Sequence, residues 1–312
     1  MSAAPSAPAL SIVVPVYNEE GNVEPLHAEL TDVAARLGRP YEILFVNDGS
    51  RDATLARLEA LAARDPHLRI VDLAGNFGEA AALSAGFAHA RGEIVVTLDG
   101  DGQNDPAAIA HLLARLGPDV DVVSGRRTAR KEKFLTRVLP SRVANWLIAL
   151  ATGVPVYDCG CGLKAYRREI VAGAQLPRGM NRFLPAILGV DPARVAEVWV
   201  EDRPRGSGTS HYGLSRLFVV LRDLLALPLL VRRPPRGHAI GVALSGAQAL
   251  LVAVTVAAVV GAVGFPADRA AALATAFAAI VAAGVGWAIR HNVNRWVAAQ
   301  QRGVFRVRRV VG

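Results

Sequence analysis

The segment LSIVVPVYNEE, residues 10–20, joins an unbroken apolar run to a polar cluster that contains two glutamates. Three further apolar runs follow, at residues 43–46, 68–73 (the most alternating) and 94–98. Helical patterns separate the runs, at residues 21–37, 53–64 and 79–91. Because strands that alternate with helices form parallel sheets with covered faces, the sequence predicts an α/β fold.

Polar clusters come directly after three of the predicted strands. They are YNEE at 17–20, NDGS at 47–50 and DGDGQ at 99–103. Ligands of parallel α/β folds bind at the carboxyl ends of the strands, so we expect these clusters to form one site. The sequence has neither a Walker A loop nor a GxGxxG motif, which disfavours P-loop and dinucleotide chemistry.

Asp99 and Asp101 flank a single glycine, so a tight turn would let both carboxylates reach one cation. Carboxylate and amide oxygens select hard ions, and the predicted cofactor is Mg²⁺ or Mn²⁺ with substrate phosphates completing its coordination. An isolated DGD sequence is more often an ordinary acidic turn. The two accompanying clusters are what favour a metal site here.

Charged residues are missing from two long stretches near the C-terminus, 239–267 and 270–289. About 20 apolar residues cross the roughly 30 Å hydrocarbon core of a bilayer, so we predict membrane helices at 239–263 and 270–289. A pair of buried core helices is the alternative. The chain as a whole has 312 residues, 52% apolar side chains and a net charge of +8, a composition that excludes disordered, collagen-like and coiled-coil classes.

Basic residues flank this predicted hairpin on both outer sides, whereas the turn at 264–269 balances one arginine with one aspartate. They are Arg232, Arg233 and Arg236 before it, and Arg290, Arg295, Arg302, Arg306, Arg308 and Arg309 after it. Positive-inside bias predicts a two-span membrane protein with its catalytic domain on the cytoplasmic face. The predicted domains are a catalytic domain at 1–235, the two spans at 236–290 and a basic tail at 291–312.

Other segments also suggest contact with a membrane. Helical patterns at about 141–152 and 214–231 have one apolar face, as interfacial helices do, although packing inside the domain is an alternative. A basic stretch contains Arg126, Arg127, Arg130, Lys131 and Lys133. This stretch could bind an anionic substrate or anionic lipid headgroups equally well. The Ala and Gly faces of the spans could support association into a homo-oligomer.

The two cysteines of the chain, Cys159 and Cys161, are one residue apart. They are too close for an ordinary disulfide and too few for a zinc site. We therefore predict free thiols in a reduced, cytoplasm-facing protein. Residues 1–10 contain no Lys or Arg, so no signal peptide is predicted.

The motifs PVYNE at 15–19, NDGS at 47–50 and DGDGQ at 99–103 resemble those of family 2 glycosyltransferases of the GT-A fold. Four later motifs narrow the resemblance to polyprenyl-phosphate glycosyltransferases, the group of dolichol-phosphate mannose synthases and their bacterial undecaprenyl-phosphate relatives. They are SGRR at 124–127, CGLKAYRR at 161–168, MNRFLP at 180–185 and RGSGTSHY at 205–212. The resemblance implies a Rossmann-like GT-A domain, a nucleotide-sugar donor, a polyprenyl phosphate acceptor and no nucleic-acid partner.

The resemblance also implies roles for single residues. Nucleotide-sugar binding is implied for Pro15, Tyr17, Glu19, Asp48, Asp99, Gly100 and Asp101, and metal binding for Asp99, Asp101 and Gln103. The implied catalytic residues are Asp99, Asp101, Arg126 and Arg205, and the implied acceptor-phosphate ligands are Arg126, Arg205, Ser210 and His211. Many relatives have lysine at the position of His211, and a neutral imidazole would donate only one hydrogen bond there.

An acceptor phosphate and an acceptor hydroxyl need different catalytic groups. A hydroxyl needs a general base, whereas a phosphate monoester is largely dianionic at pH 7 and needs cations to hold it, above all Arg. Together with the resemblance and the predicted membrane spans, the arginines and the absence of an evident general base in the sequence predict inverting sugar transfer to a polyprenyl phosphate. Transfer to a glycan hydroxyl would call on Asp158 or Asp202 as the base. A non-catalytic membrane scaffold is a third alternative, disfavoured by the intact DGDGQ motif and the loop at 205–212.

Overall fold

The computed structural model describes residues 8–128, 154, 156–203, 223 and 269–312, with the helix backbone alone over 269–273. The strands are β1 (Leu10–Val16), β2 (Tyr41–Asn47), β3 (Leu68–Leu73), β4 (Ile94–Thr97), β5 (Val122–Arg127), β6 (Lys164–Arg167), β7 (Val195–Val200) and β8 (Val307–Val311). The α-helices are α1 (Val23–Arg36), α2 (Thr54–Ala62), α3 (Glu79–His89), α4 (Ile109–Arg115), α5 (Arg168–Val171), α6 (Leu184–Ile187) and α7 (Arg269–Arg302). The strands and helices predicted between residues 10 and 98 are all present, and their ends shift by at most two residues.

These strands form one sheet in the order β7-β5-β6-β4-β1-β2-β3-β8. The predicted parallel pairing is confirmed for β1 with β2 and β4, and for β2 with β3. The sheet as a whole is mixed, because β6 runs antiparallel to β4 and β5, and β8 runs antiparallel to β3. The short sequences of β6 and β8, KAYR and VRRVV, lack the long apolar run by which the parallel strands were recognised.

The parallel strands β1 to β4 are buried on both faces, which explains their nearly continuous apolar sequences. The main hydrophobic core packs β1 and β2 against α1 and α4, with Phe45, Leu30 and Leu112 among its members. β3 alternates in sequence because its polar residues are buried as ion pairs. Arg69 donates to Glu42 Oε2 at 2.8 Å, and Asp72 has its partner on β8.

The chain divides into two compact units, residues 1–212 with 302–312 and residues 213–301. In the second unit, α7 contains a segment, Ala274–Arg302, that is long and apolar enough to cross a membrane. It is the one such helix in the part of the chain that the structure describes. The predicted span at 270–289 falls within α7. The predicted span at 239–263 and the interfacial helices at 141–152 and 214–231, apart from Asp223, lie outside the described residues.

The range 291–312, predicted as a basic tail, contains regular structure instead. The helix α7 continues to Arg302, and β8 then joins the sheet beside β3. The arginines of β8 have carboxylate partners on distant elements, Asp72 and Glu59. The sequence predicted a basic tail because the carboxylates that pair with these arginines are far away in sequence, and a single sequence does not reveal such pairs.

Candidate active site

The loops that follow β1 and β2 are hydrogen-bonded to each other and form a rim, defined here as residues 17–20 and 47–54. Asn18 has a left-handed backbone, with φ of 55°. Its N–H donates to the Ser50 hydroxyl at 3.0 Å, and its Oδ1 accepts from the Arg51 N–H at 2.8 Å. The Glu19 N–H donates to the Thr54 hydroxyl at 2.8 Å. The rim is therefore shaped by contacts within the protein.

Asp48 is buried in the rim, and both of its carboxylate oxygens accept hydrogen bonds from the loop after β3. The donors are the N–H of Phe77 at 2.7 Å and that of Gly78 at 2.8 Å. Burial raises the pKa of Asp48, and the two bonds offset part of the rise. Gly49 has φ of 67°, and a Cβ there would lie 2.5 Å from the carbonyl carbon of Gly75, so only glycine fits. Asp48 therefore connects the rim to the loop after β3.

The other residues expected to bind the nucleotide lie at the same sheet edge. Tyr17 is 38% exposed, and Glu19 lies in the turn before α1. Pro15 is near the end of β1, and Gly100 packs against it: a Cβ on Gly100 would lie 2.8 Å from the Pro15 carbonyl oxygen and 2.5 Å from Val16 Cγ1. The expected convergence of the three polar clusters is confirmed by these contacts.

The DGDGQ loop after β4 is held by its own hydrogen bonds. Asp101 is buried and its Oδ1 accepts from the Gln103 N–H at 3.1 Å, while the partly buried Asp99 donates its N–H to Asn104 Oδ1 at 3.1 Å. Gly162, in the turn before β6, packs directly on Asp99, since a Cβ there would lie 2.1 Å from Asp99 Oδ1. Sequence reasoning stopped at Gln103 and missed Asn104, although this polar residue directly continues the motif.

Two neighbouring carboxylates make this loop a candidate divalent-metal site. Burial, aided by the charges of Glu79 and Asp101, raises the pKa of Asp99 to about 8. Lys164 and Arg127 offset part of that rise. A divalent cation would relieve the repulsion between the carboxylates, so the donor set fits such an ion. The described residues contain no group of three or more His, Cys, Asp or Glu that could hold a metal.

Lys164 is a candidate functional residue that the sequence did not single out, since it appeared only as one member of the CGLKAYRR motif. Its side chain is buried, and its ammonium group donates to the backbone carbonyls of Cys159 and Cys161. Buried lysines are rare, and this one places a positive charge near Asp99. The signal in the sequence was a lone Lys between apolar residues of a strand.

Arg127, on β5, is held by carboxylates. Its Nε donates to Asp158 Oδ2 at 2.7 Å and its Nη2 to Asp158 Oδ1 at 2.9 Å. Its Nη1 also lies 3.7 Å from Asp202 Oδ2. Against the effect of burial, these carboxylates raise the pKa of Arg127. Asp158 and Asp202, the candidate bases for transfer to a hydroxyl, are thus both engaged by an arginine, and protonation would weaken those pairs.

Arg126, the neighbouring residue, lies between two exposed aromatic rings. Its guanidinium carbon is 4.4 Å from the ring centroid of Tyr157 and 4.2 Å from that of Trp199. Among the residues that the structure describes, no carboxylate lies within ion-pair distance of Arg126. Cation–π attraction can hold the flat guanidinium while its N–H groups remain available to an anion.

Three residues of the expected acceptor site, Arg205, Ser210 and His211, lie outside the described residues. The last described residue before them, Arg203, donates its N–H to the Gln103 carbonyl at 2.8 Å. Arg203 therefore lies next to the DGDGQ loop.

Cys159 and Cys161 are free thiols, as predicted. Burial raises the pKa of Cys159 to about 12 and that of Cys161 to about 11. The thiolate is the reactive form, so both side chains are inert at neutral pH.

Comparison with known proteins identifies the family of the chain and its similar relatives. A sequence model described as "Glycosyl transferase family 2" matches residues 11–173. Dodecaprenyl-phosphate galacturonate synthase of Rhizobium johnstonii is 41% identical over 251 residues, which cover 78% of this chain and 74% of that protein. Undecaprenyl-phosphate 4-deoxy-4-formamido-L-arabinose transferase of Pseudomonas aeruginosa is 38% identical over 217 residues, which cover 69% of this chain and 64% of that protein.

Solved structures agree on the fold. Glucosyl-3-phosphoglycerate synthase from Mycobacterium tuberculosis, in complex with Mn²⁺ and UDP-glucose, superposes with a TM-score of 0.56 at 22% identity. The match covers 74% of this chain and 81% of that one. It concerns the fold alone, and with the family match it confirms the expected GT-A, Rossmann-like architecture of the α/β unit.

Proposed function

Because the chain belongs to glycosyltransferase family 2, we propose that it transfers a sugar from a nucleotide-sugar donor to a membrane polyprenyl phosphate. Two of its relatives have dodecaprenyl phosphate and undecaprenyl phosphate in their names. The observation that carries the proposal is the contrast at residues 126 and 127. Arg126 lies between two aromatic rings and forms no ion pair among the described residues, although the Glu197 carboxylate is close enough for the two charges to interact, whereas Asp158 and Asp202 are engaged by Arg127. Such a site suits an acceptor that arrives already charged.

The rim is the proposed nucleotide pocket. Pro15, Tyr17, Glu19, Asp48 and Gly100 are its proposed ligands, and their support is that they share one sheet edge with the acidic loop. Tyr17 offers a partly exposed ring on which a base can stack. Because protein contacts alone hold the rim in place, little ordering is needed when the nucleotide binds.

Asp99, Asp101 and Gln103 are the proposed holders of Mg²⁺ or Mn²⁺. When bound, such an ion supplies Lewis-acid stabilisation of the departing nucleoside diphosphate. Asn104 fixes the backbone of Asp99, and Lys164 provides a nearby positive charge. Asn104 thus supports the backbone of one proposed metal ligand, and Lys164 offsets part of the negative charge around it.

Arg126 is the proposed ligand of the acceptor phosphate, with Arg205, Ser210 and His211 as the further ligands that the sequence resemblance implies. A phosphate oxygen of the acceptor forms the new bond to the anomeric carbon as the bond to the donor diphosphate breaks. Attack from the opposite face inverts that carbon. No proton has to leave the acceptor, because a phosphate monoester is largely dianionic at neutral pH.

The position of β8 supports a two-span membrane anchor. Since β8 is hydrogen-bonded to β3, residues 307–311 must lie on the same side of a bilayer as the catalytic sheet. For a chain anchored in a bilayer, this pairing favours an even number of crossings between residues 203 and 307, and we propose two. One proposed crossing is Ala274–Arg302, and the uncharged stretch at 239–263 is the other. The flanking arginines favour a cytoplasmic catalytic domain.

Single-cysteine labelling tests this topology in a Cys159→Ser/Cys161→Ser background. A cysteine replacing Ala267 should react with an impermeant thiol reagent added to intact cells, and one replacing Gln301 should not. The reverse pattern would overturn the proposed orientation.

The reaction is tested by incubating the purified protein with Mg²⁺ or Mn²⁺, a short polyprenyl phosphate and a panel of radiolabelled UDP- and GDP-sugars. We expect a mild-acid-labile lipid product whose formation requires the added polyprenyl phosphate. Label found only in water-soluble glycan, with or without that lipid, would show a hydroxyl acceptor and overturn the proposal.

A further inference from the structure

The strand β8 closes the sheet beside β3, where the chain leaves β3 for the loop at 75–78. Just before β8, the Arg306 carbonyl accepts from the Ala74 N–H at 2.8 Å. The pairing register shifts between Asp72 and Leu73 at the same point. β8 therefore contacts the exit of β3, which is next to the rim.

Asp72 is fully buried and connects β8 to β2. Its Oδ2 accepts from Arg308 Nη1 at 3.1 Å, and its Oδ1 accepts from Asn47 Nδ2 at 2.8 Å. Arg309 is further away, with Nε at 3.9 Å from Asp72 Oδ2, and it also pairs with Glu59. A buried carboxylate needs such partners because an unpaired buried charge is costly. Arg308 is the cation that hydrogen-bonds to Asp72.

Asn47 extends this arrangement into the NDGS segment of the rim. Its side chain donates from Nδ2 to Asp72, and its Oδ1 accepts from the Ser50 N–H at 3.2 Å. The Ser50 hydroxyl in turn accepts from the Asn18 N–H at 3.0 Å. The two ends of an amide differ, one donating and one accepting, so the charge on Asp72 decides which end meets Ser50.

A second connection runs through the loop after β3. Arg308 Nη2 lies 3.4 Å from the Ala74 carbonyl oxygen and donates to it. The loop at 75–78 then packs on Gly49 and donates two N–H bonds to Asp48. Arg308 is thus connected to Asn47 through Asp72 and to Asp48 through the segment 74–78.

We propose that β8 is a positioning element of the donor site and that Arg308 orients the NDGS segment through Asp72 and Asn47. The inference rests on the proposed function, since it takes the rim to be the nucleotide pocket. Arg308 itself touches no substrate. It holds the buried carboxylate that sets the Asn47 amide, so a strand that follows the membrane helix α7 helps to shape the pocket.

The test compares Arg308→Gln with Arg306→Gln in the full chain, purified in detergent. Arg306 is the matched control because it loses the same charge from the same segment, while its contact with Ala74 uses the backbone carbonyl. We expect Arg308→Gln to raise the Kd for UDP or GDP, measured by calorimetry, and the donor KM by about tenfold. Acceptor KM should stay within about twofold, Arg306→Gln should match wild type, and Arg308→Lys should recover most of the nucleotide affinity.

A lower melting temperature of Arg308→Gln with unchanged nucleotide Kd would overturn the proposal, because β8 would then only stabilise the fold. If Arg308→Gln does not fold, Asp72→Asn decides in its place, and wild-type nucleotide affinity in Asp72→Asn overturns the proposal. A wild-type protein that binds UDP or GDP but transfers no sugar to polyprenyl phosphate contradicts the proposed function and leaves this inference standing. Failure of the wild type to bind either nucleotide overturns both.

Discussion

The rim and the DGDGQ loop meet at the same sheet edge, yet their carboxylates have different neighbours: backbone donors in the rim and further carboxylates in the DGDGQ loop. In the rim, the side chain and N–H of Asn18 bond to the opposite loop, and the two oxygens of Asp48 have two backbone donors. In the DGDGQ loop, Asp99 lies near two further carboxylates, with its pKa raised to about 8. The difference indicates that folding completes the hydrogen bonds of the rim, whereas Asp99 in the acidic loop favours its protonated form at neutral pH until a cation takes the place of the proton.

The largest expected effect comes from removing one carboxylate of the acidic loop. Asp101→Asn should lower turnover by at least about 100-fold, because the metal that would stabilise the leaving diphosphate loses a ligand. Excess EDTA should have the same effect on the wild type. The measurements are turnover and circular dichroism, which should show an intact fold.

Asp121→Asn is the control for this prediction. Asp121 is partly buried and pairs with Arg194 and Arg167, away from the DGDGQ loop in sequence. We expect the control to lower the melting temperature and to leave turnover near wild type. Full activity of Asp101→Asn, or of the wild type in EDTA, would contradict the assignment of a metal site to the acidic loop. The proposed difference between this loop and the rim would then be wrong.

The second prediction separates the two neighbouring arginines. Arg126→Gln should lower kcat/KM for the acceptor by about ten- to a hundredfold, equivalent to a charge-assisted hydrogen bond of roughly 1.5–3 kcal/mol. Donor KM should be unchanged and the melting temperature should change little, because Arg126 forms no ion pair among the described residues and is held by two aromatic rings and the more distant charge of Glu197. Steady-state kinetics with each substrate varied in turn provides the measurement.

Arg127→Gln should show a different pattern. It leaves Asp158 without its bidentate partner in a largely buried position, which costs roughly 3 kcal/mol of folding free energy. Thermal unfolding should detect this loss. If Arg126→Gln destabilises the protein as much as Arg127→Gln and leaves acceptor kinetics intact, Arg126 is structural.

Much of this organisation could be predicted from the sequence, because the parallel strands are unbroken apolar runs and the end of each strand marks the site edge. The strand β8 could not be predicted, since VRRVV looks like a charged tail until Asp72 is known to lie opposite it. The different environments of Arg126 and Arg127 also depend on pairing across the sheet, where Arg126 lies beside Trp199. Tertiary partners decide such residues, and one sequence does not show them.

The third prediction tests the packing of the turn at 159–162, which supports the acidic loop through Gly162. In the folded protein the pKa values of Cys159 and Cys161 are raised from 9.0 to about 12 and about 11. Above pH 9 the unfolded chain loses thiol protons that the folded chain keeps, so stability should fall as pH rises from about 9 to 11. The expected loss is roughly 1 kcal/mol per pH unit for each thiol.

Thermal unfolding at pH 8 and pH 10 measures this loss, with Cys159→Ala/Cys161→Ala as the reference. The double variant should lose less stability between the two pH values, because other groups titrate equally in both proteins. An identical loss would mean that the thiols are accessible to water and that the turn at 159–162 is not tightly packed.

The smallest expected effect concerns the rim itself, at Asn18. Asn18→Gly keeps the left-handed backbone and the N–H bond to Ser50, and loses the side-chain bond to Arg51. Because the Arg51 N–H is at an exposed position and can bond to water, donor KM should rise only about two- to fivefold, or about 0.5–1 kcal/mol. Asn18→Ala loses the same bond and adds roughly 1 kcal/mol of strain at positive φ, so its melting temperature should be the lower of the two. Acceptor KM should be unchanged in both. If neither variant alters donor KM, the cross-loop bond does not shape the nucleotide pocket, and the rim no longer differs from the acidic loop as a site completed by folding.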